Sequence, residues 1–351
     1  MKKTKNWVFS TIKIIIAIFS FLTLCNFIVD PLQHYRKASF YKPFYKNSRY
    51  LNPGIAKTHD YNAVIIGTSM VQNFRPTYVD KVCGVNSVKL PLPGSSAYEQ
   101  GLILDTALRT GKVRRVYFGL DVFAFKGPVT WESNGKGSMP LYLYDDDVFN
   151  DLEYLLSVDT LRFYKYILRA NIFGIDEEKL EHDNYGYWGN KFDFSREEVL
   201  KDWRSATFNK SSPREDFYFL NLKNNFDANL QKHFQAYPDV KFDIFFPPYS
   251  ILVWIDSKQK GIVEEILKFK KYVIESTAEA KNIRVFDFQT IETIVLNLDN
   301  YKDVSHYSPS INEFMIDSIS AGRFLTDKQT SNRQQIELSN MIDAHVASYP
   351  R

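Results

Sequence analysis

The chain has 351 residues and a formal net charge of +3, and 44% of its residues are hydrophobic and 16% aromatic. This composition supplies ample material for a packed core and fits one large domain with an insertion, or two domains. The chain has no dense basic block after the extreme N-terminus, which argues against nucleic acid as a partner. The only cysteines are Cys25 and Cys83, and the first lies in an apolar N-terminal segment. We therefore expect no disulfide in the rest of the chain.

The apolar segment covers 21 residues, 8–28, and follows a basic head. A helix rises ~1.5 Å per residue, so this segment is long enough to cross a hydrocarbon core of ~30 Å. The positive-inside rule makes residues 1–7 a cytoplasmic tail and places the remainder outside the membrane. A cleaved signal peptide is the alternative. No small-x-small site follows the segment, however, and the bulky Leu24 before Cys25 is wrong for a lipoprotein signal. The sequence favours an uncleaved single-pass anchor in the cell membrane.

Residues 29–60 are rich in Tyr, Phe, Lys and Pro and have no clear period. We expect an extracytoplasmic stalk of irregular structure that lies over the membrane and the folded domain. His59 and Asp60 come just before the first predicted strand, at its amino end. A structural role is therefore expected for this pair.

The first strand of a predicted α/β domain, which covers residues 61–325, is the apolar run 63–66. A short β-branched run of this kind is typical of a central parallel strand buried on both faces. Gly67 ends the strand, and Ser69 follows where the strand turns into a helix. Open α/β folds place their ligands at this carboxyl edge of the sheet. Ser69 is therefore a candidate nucleophile, although a serine at this point can also be a helix N-cap.

The next elements repeat this arrangement. They are a strand at 84–90, a turn at 91–96, a helix at 97–109 capped by Ser95 or Ser96, and a strand from residue 113 that ends at Gly119. Three successive strand ends therefore place Ser69, Gly94 and Asp121 on one rim of the sheet. This alternation of strand and helix is the doubly wound pattern.

Residues 126–238 interrupt the pattern and are predicted to form a large, mostly helical insertion that covers the rim as a lid or substrate platform. The acidic run 145–147 cannot direct all its carboxylates at one ion, so a solvated turn is expected there and no metal site. The aromatic stretch 185–189 can stack on sugars, but packing is the commoner role for such side chains.

Regular α/β structure returns after the insertion. The predicted elements are a strand at 240–246, a helix at 257–281, a strand at 284–288 and a last helix from 308 or 310 to 324. Residues 326–351 are polar and are expected to form a tail or a peripheral helix.

The loop before the last helix contains Asp303 and His306. A carboxylate three residues ahead of a histidine can fold back onto one imidazole nitrogen and leave the other free to act as a general base. In an α/β sandwich this late loop returns to the rim that carries Ser69. The three residues together predict a catalytic triad.

These residues resemble the blocks of the SGNH (GDSL-like) hydrolase superfamily. The matching blocks are Gly67-Thr68-Ser69 in place of Gly-Asp-Ser, then Gly94, then Gly119-Leu120-Asp121 in place of Gly-x-Asn-Asp, and Asp303-x-x-His306. The resemblance implies a three-layer α/β/α sandwich with a parallel sheet. It also implies an oxyanion hole formed by the backbone N–H groups of Ser69 and Gly94. Asp121 stands in place of the family asparagine, and Asn73 is a second possible side-chain donor.

The N-terminal anchor and the Gly-Thr-Ser-Met sequence are similar to the membrane-anchored SGNH proteins of envelope-polymer acylation. The D-alanine transfer protein of teichoic acid modification and the AlgX/AlgJ acetyltransferases are of this kind. The resemblance implies acyl transfer through a covalent acyl-serine to a cell-envelope polysaccharide, beside a membrane-bound O-acyltransferase that supplies the acyl donor, with no cofactor or metal. Two alternatives remain open. One is an esterase with the same residues, and the other is an inactive scaffold for the acyltransferase.

Overall fold

The computed structural model describes residues 2–205 and 213–350, and it contains one parallel sheet of five strands. The strands are β1 (Ala63–Gly67), β2 (Ser87–Pro91), β3 (Arg115–Gly119), β4 (Lys241–Phe246) and β5 (Ile283–Asp287). Their order across the sheet is β2-β1-β3-β4-β5. The strand order therefore reverses between β1 and β3, and their carboxyl ends border the crevice where α/β folds bind ligands. The predicted α/β class with a parallel sheet is confirmed.

Fourteen α-helices occur in the described part of the chain. They are α1 (Lys2–Val29), α2 (Ser48–Thr58), α3 (Pro76–Cys83), α4 (Ala97–Arg109), α5 (Leu152–Leu155), α6 (Thr160–Phe173), α7 (Arg196–Trp203), α8 (Phe219–Phe226), α9 (Lys232–Ala236), α10 (Ile251–Gln259), α11 (Val263–Thr277), α12 (Glu292–Val295), α13 (Pro309–Ser320) and α14 (Lys328–His345). Of the two caps predicted for α4, Ser96 is the one used, in a capping box with Glu99.

Alternate side chains of a strand point to opposite faces of the sheet, and those of the strands are buried on both faces. Helices cover both faces. On one face, Phe242 of β4 packs against Phe234 of α9 with 5.0 Å between ring centroids. On the other face, Phe245 packs against Phe74 at 5.7 Å. α3 contacts α13, while α8 contacts both α4 and α11. The sheet is thus the middle layer of the domain.

The segment Asn6–Val29 of α1 is long and apolar enough to cross a membrane, and it matches the predicted span 8–28 closely. Its last turn is joined to the rest of the molecule. The Asn26 side chain is completely buried, and its amide donates to the carbonyl of Leu155 at 2.9 Å.

The second half of the predicted stalk is not irregular. Ser48–Thr58 form α2, which packs on α4 and β2 with residues 51–56 buried. Pro53 and Gly54 both weaken a helix, so the surrounding packing forms this one. A side chain at Gly54 would collide with the backbone of Leu32 and Gln33. The prediction of an irregular stalk over 29–60 is therefore wrong for these residues.

Two other boundaries differ from the sequence prediction. The helix predicted at 257–281 is two helices, α10 and α11, and Gly261 lies between them with a φ of +67°. The polar C-terminal segment contains α14, which packs on α10 and α11 through Leu338, Met341 and Ile342. Of the two alternatives for this segment, the peripheral helix is the one observed.

The insertion at 126–238 has two structural roles. Its last part, α8 and α9 with the π-helical Asp227–Gln231 between them, belongs to the helical layer of the domain. There Phe226 contacts Phe125 and Phe269 at 6.3 and 6.1 Å between centroids. The prediction that the whole insertion covers the rim is wrong for this part, while residues 182–194 do lie beside the rim.

Candidate active site

Ser69, His306 and Asp303 lie together at the carboxyl edge of the sheet. The Ser69 Oγ lies 2.7 Å from His306 Nε2, and His306 Nδ1 lies 2.8 Å from Asp303 Oδ2. Because the carboxylate accepts the proton on Nδ1, the lone pair of Nε2 is directed at the Ser69 hydroxyl. The arrangement is able to remove the Ser69 proton and so to make the serine oxygen a nucleophile.

The turn after β1 leaves the Ser69 hydroxyl available to His306. Thr68, not Ser69, caps the short 3-10 helix Ser69–Val71, since the Thr68 side chain accepts from the Met70 N–H. Ser69 therefore does not serve as the N-cap, which was its alternative role.

Asp303 is held as a carboxylate. Burial of the Asp303 side chain raises its pKa, but the hydrogen bond from His306, followed by the hydrogen bond and the charge of Lys302, outweighs burial and holds the pKa well below its usual range. Asp303 Oδ1 also accepts from the backbone N–H groups of Ser305 and His306, at 2.9 and 2.8 Å. The carboxylate thus shapes its own loop and orients the imidazole.

Buried tyrosines fix this loop to the nucleophile turn. Tyr301 and Tyr307 form an isolated antiparallel bridge that closes the loop. The Tyr307 hydroxyl donates to the carbonyl of Met70 at 2.7 Å, and the Asn312 amide donates to the same carbonyl at 3.3 Å. Since Met70 directly follows Ser69, these bonds set the distance between the serine and the histidine.

Asp121 is not an oxyanion donor in this structure. Its Oδ1 accepts from the Tyr249 hydroxyl at 2.6 Å and from the Phe123 N–H at 3.1 Å, and its Oδ2 accepts from the Thr68 hydroxyl at 2.8 Å. A carboxylate that accepts on both oxygens has no proton to offer a developing negative charge. Asp121 instead ties the end of β3 to the residue that precedes Ser69.

Three N–H groups without a hydrogen-bond acceptor in residues 2–205 and 213–350 remain as candidate oxyanion donors. The backbone N–H groups of Ser69 and Gly94 have no acceptor among the described residues. Asn73 lies in the turn beyond the 3-10 helix, and its side chain is buried. The Asn73 Oδ1 accepts from the Trp188 N–H at 3.1 Å, and the Nδ2 has no partner in the described part of the chain. An amide donor that is buried and unpaired costs free energy unless a ligand accepts from it.

A scan against protein-family models gave no match for the chain, and a search of curated proteins gave none either.

Two residues of the site were missed by sequence reasoning. The Trp188 ring meets the His306 ring edge-on, with 5.7 Å between centroids and 89° between planes. The Lys302 ammonium bonds Asp303 at 2.8 Å and lies over the Trp188 and Phe192 rings at 4.8 and 4.4 Å. The aromatic run at 185–189 was assigned to packing or to sugar stacking and not to contact with the histidine, and nothing in the sequence distinguished Lys302.

A cleft of about 610 Å³ lies against Trp188. Aromatic rings, amides and ammonium groups line it, including those of Tyr45, Tyr187, Asn184 and Lys191. Ser69 and His306 are not part of its wall, but Trp188, which lines the cleft, also contacts the His306 ring. The cleft therefore adjoins a residue that contacts the triad.

The described residues contain no group of three or more His, Cys, Asp or Glu side chains that could hold a metal ion.

His59 is buried away from the triad, with its Nε2 3.0 Å from Gln33 Oε1, and burial lowers the pKa of His59 to about 4. The structural role expected for His59 agrees with this position.

Proposed function

We propose that the chain is a membrane-anchored, extracytoplasmic serine acyltransferase of the SGNH type. It transfers an acyl group through a covalent acyl-serine to a cell-envelope polysaccharide, beside a membrane-bound O-acyltransferase. The observation that carries the proposal is the hydrogen-bonded series Ser69–His306–Asp303 at the crevice between β1 and β3. The match of Ser69, Gly94, Asp303 and His306 to the SGNH blocks and the apolar helix Asn6–Val29 support the finer assignment.

In the first half-reaction, His306 Nε2 takes the hydroxyl proton as Ser69 Oγ attacks the acyl carbonyl carbon. The N–H groups of Ser69, Gly94 and Asn73 donate to the oxyanion that forms. One such donor contributes ~3 kcal/mol to lowering the barrier. His306 then passes its proton to the leaving group, and the acyl ester of Ser69 remains.

In the second half-reaction, a sugar hydroxyl gives its proton to His306 Nε2 and attacks the ester carbonyl. Collapse of the tetrahedral intermediate returns the proton to Ser69 Oγ and releases the acylated sugar. The cleft beside Trp188 is wide enough for the acceptor and offers rings for stacking and amides for hydrogen bonds.

An esterase is the second candidate. The His306 side chain is 26% exposed, so water can reach the acyl-serine in place of a sugar hydroxyl. An inactive scaffold is a poorer fit, because it would not need a serine, an imidazole and a carboxylate held at hydrogen-bonding distances.

A fluorophosphonate probe tests the nucleophile. We expect it to label the full chain at Ser69 and to label neither Ser69→Ala nor His306→Ala, while Ser305→Ala, a change in the same loop, remains labelled. Unlabelled wild-type protein would refute a catalytic serine.

A second experiment separates acyl transfer from ester hydrolysis. A sugar acceptor is added to a reaction with p-nitrophenyl acetate, and only a transferase forms an acylated sugar.

A further inference from the structure

Large apolar side chains are exposed where the chain forms α5 and α6. Phe149 is 85% exposed, Leu152 58% and Ile172 65%. On α6, Leu161, Leu168 and Ile172 are separated by seven and four residues, which places them on one side of the helix. We call this side, with Lys165 between Leu161 and Leu168, the α6 face.

The opposite side of α6 is packed against the domain. Ile167 and Ala170 form a small core with Phe44 and Leu180. The helix is therefore held rigidly with its apolar side outward. An exposed apolar surface of this extent on a folded domain marks a site of contact with a membrane or another molecule.

The α6 face adjoins the end of α1. Besides its bond to Leu155, the Asn26 amide donates to the carbonyl of Ser157 at 3.2 Å. The Asn26 Oδ1 accepts from the hydroxyls of Thr160 at 2.8 Å and Tyr164 at 2.6 Å, both in α6. The first turns of α6 are therefore joined by hydrogen bonds to the last turn of α1.

This connection fixes the depth of α6 if α1 crosses a membrane. About 20 helical residues cross the hydrocarbon core. Counted from Asn6, such a span ends near Asn26. The residues that bond Asn26 must then lie at the boundary between hydrocarbon and headgroups.

The charge of α6 fits this position. The helix contains Arg162, Lys165 and Arg169 and no acidic residue, and Asp159 just before it lies 3.6 Å from Arg162. Basic residues beside apolar ones are typical of helices that lie in the plane of an anionic membrane surface.

We propose that the α6 face, together with Phe149 and Leu152, lies in the headgroup region of the membrane that α1 crosses. It is a second, in-plane contact that fixes how the domain and its cleft are oriented over the lipid. A single membrane span would leave the domain free to tilt relative to the membrane plane. A second contact at the base of α1 restricts that tilt. The proposal rests on α1 being a membrane span and is independent of the acyl-transfer chemistry.

Photo-crosslinking of the full chain in vesicles of phosphatidylglycerol and phosphatidylcholine tests the proposal. The crosslinking residue p-benzoylphenylalanine replaces Ile172, in the α6 face, or Ile336, which is 63% exposed on α14 and is the matched control. A third position, Phe19 of α1, reports whether the chain is embedded. We expect covalent lipid adducts at Phe19 and Ile172, with a yield at Ile172 several-fold above that at Ile336.

A charge-reversed variant sharpens the result. With Lys165→Glu and Arg169→Glu together, the adduct yield at Ile172 should fall several-fold in anionic vesicles and stay unchanged in pure phosphatidylcholine. Lipid adducts at Phe19 without adducts at Ile172, or equal yields at Ile172 and Ile336, would overturn the proposal. In native membranes, crosslinks from Ile172 to a protein in place of lipid would also overturn it. Absence of adducts at Phe19 would remove its basis, while fluorophosphonate labelling of Ser69 would be unaffected.

Discussion

The strands β1 and β3 end with the same pattern but use it differently. Gly67 pairs with Gly119 across the sheet, and a polar residue follows two positions after each, Ser69 after β1 and Asp121 after β3. A Cβ atom at either glycine would lie within 2.8 Å of the Val71 side chain, so the turn after β1 needs both glycines. The two strand ends are equivalent in register and in local sequence.

The difference lies in what distant parts of the chain bring to each strand end. Ser69 meets an imidazole 237 residues away, and Asp121 meets the Tyr249 hydroxyl 128 residues away. The first partner can accept a hydrogen bond from the Ser69 hydroxyl, while the second donates a hydrogen bond to the Asp121 carboxylate. What a polar residue after a strand-ending glycine can do therefore depends on the partner that the fold delivers.

The largest expected effect on the rate of acyl transfer comes from replacing Ser69, at the end of β1, or its partner His306. Ser69→Ala or His306→Ala removes the nucleophile or its base, and acyl transfer should fall on the order of 10⁴-fold or more. The rate of acyl release from p-nitrophenyl acetate measures it, with circular dichroism to verify folding. Ser305→Ala should keep the wild-type rate. A residual rate within tenfold of wild type in either site variant would refute the triad.

Asn73 allows the proposed oxyanion hole to be tested separately from the triad. Asn73→Asp keeps an oxygen to accept from the Trp188 N–H and removes the unpaired donor. We expect kcat to fall by about 10²-fold or more with little change in KM, because the donor acts on charge that develops in the transition state. Steady-state kinetics of the two variants, Asn73→Asp and Asn73→Ala, measures this. Wild-type kcat in Asn73→Asp would exclude Asn73 from the oxyanion hole.

Asp121→Asn tests the end of β3 by introducing the asparagine found in the SGNH block that this sequence resembles. The new amide nitrogen faces groups that now donate to Asp121, so we expect the free energy of unfolding to decrease by about 1–2 kcal/mol. We expect kcat to change by less than tenfold and not to rise. Urea unfolding and kinetics measure the two effects. A clear rise in kcat would mean that this position faces the oxyanion after all.

The parts of the site that the sequence predicted are those with short local patterns. Gly67 and Ser69 follow an apolar strand, and Asp303 and His306 are three residues apart on one turn, so residue type and spacing were enough. Their approach in space follows from parallel topology, which brings strand ends and late loops to one edge.

The parts that could not be predicted depend on tertiary contacts. α2 contains Pro53 and Gly54 and has no helical signature, but it forms because β2 and α4 cover it. Trp188 and Lys302 are 114 positions apart by residue number, and only the folded chain stacks the Lys302 ammonium on the Trp188 ring. Asp121 was ambiguous because the sequence does not reveal that Thr68 and Tyr249 donate to it.

A last expected effect concerns stability and not the rate of acyl transfer, and it involves the residue that supports the turn after β1. Lys89 of β2 is completely buried, and its ammonium donates to the carbonyls of Gln72 and Phe74 at 2.7 Å and of Asp183 at 3.3 Å. It therefore joins the turn after Ser69 to the insertion. No carboxylate bonds Lys89 among the described residues, and burial lowers the pKa of Lys89 from 10.5 to about 7.

The pH dependence of stability follows from that shift. Between pH 7 and 10.5 the unfolded chain keeps the Lys89 proton and the folded chain has lost it, so the free energy of unfolding rises with pH over this range. Lys89→Met should remove much of this rise, and a smaller part should remain because burial also lowers the pKa of Lys57 and Lys112. Lys241→Met, at an exposed position on β4, should leave the rise unchanged. Urea unfolding from pH 6.5 to 10 measures it. If the free energy of unfolding rises equally with pH in wild type and in Lys89→Met, Lys89 has the same pKa in the folded and the unfolded chain. It would then keep its proton in the fold, which would contradict the prediction.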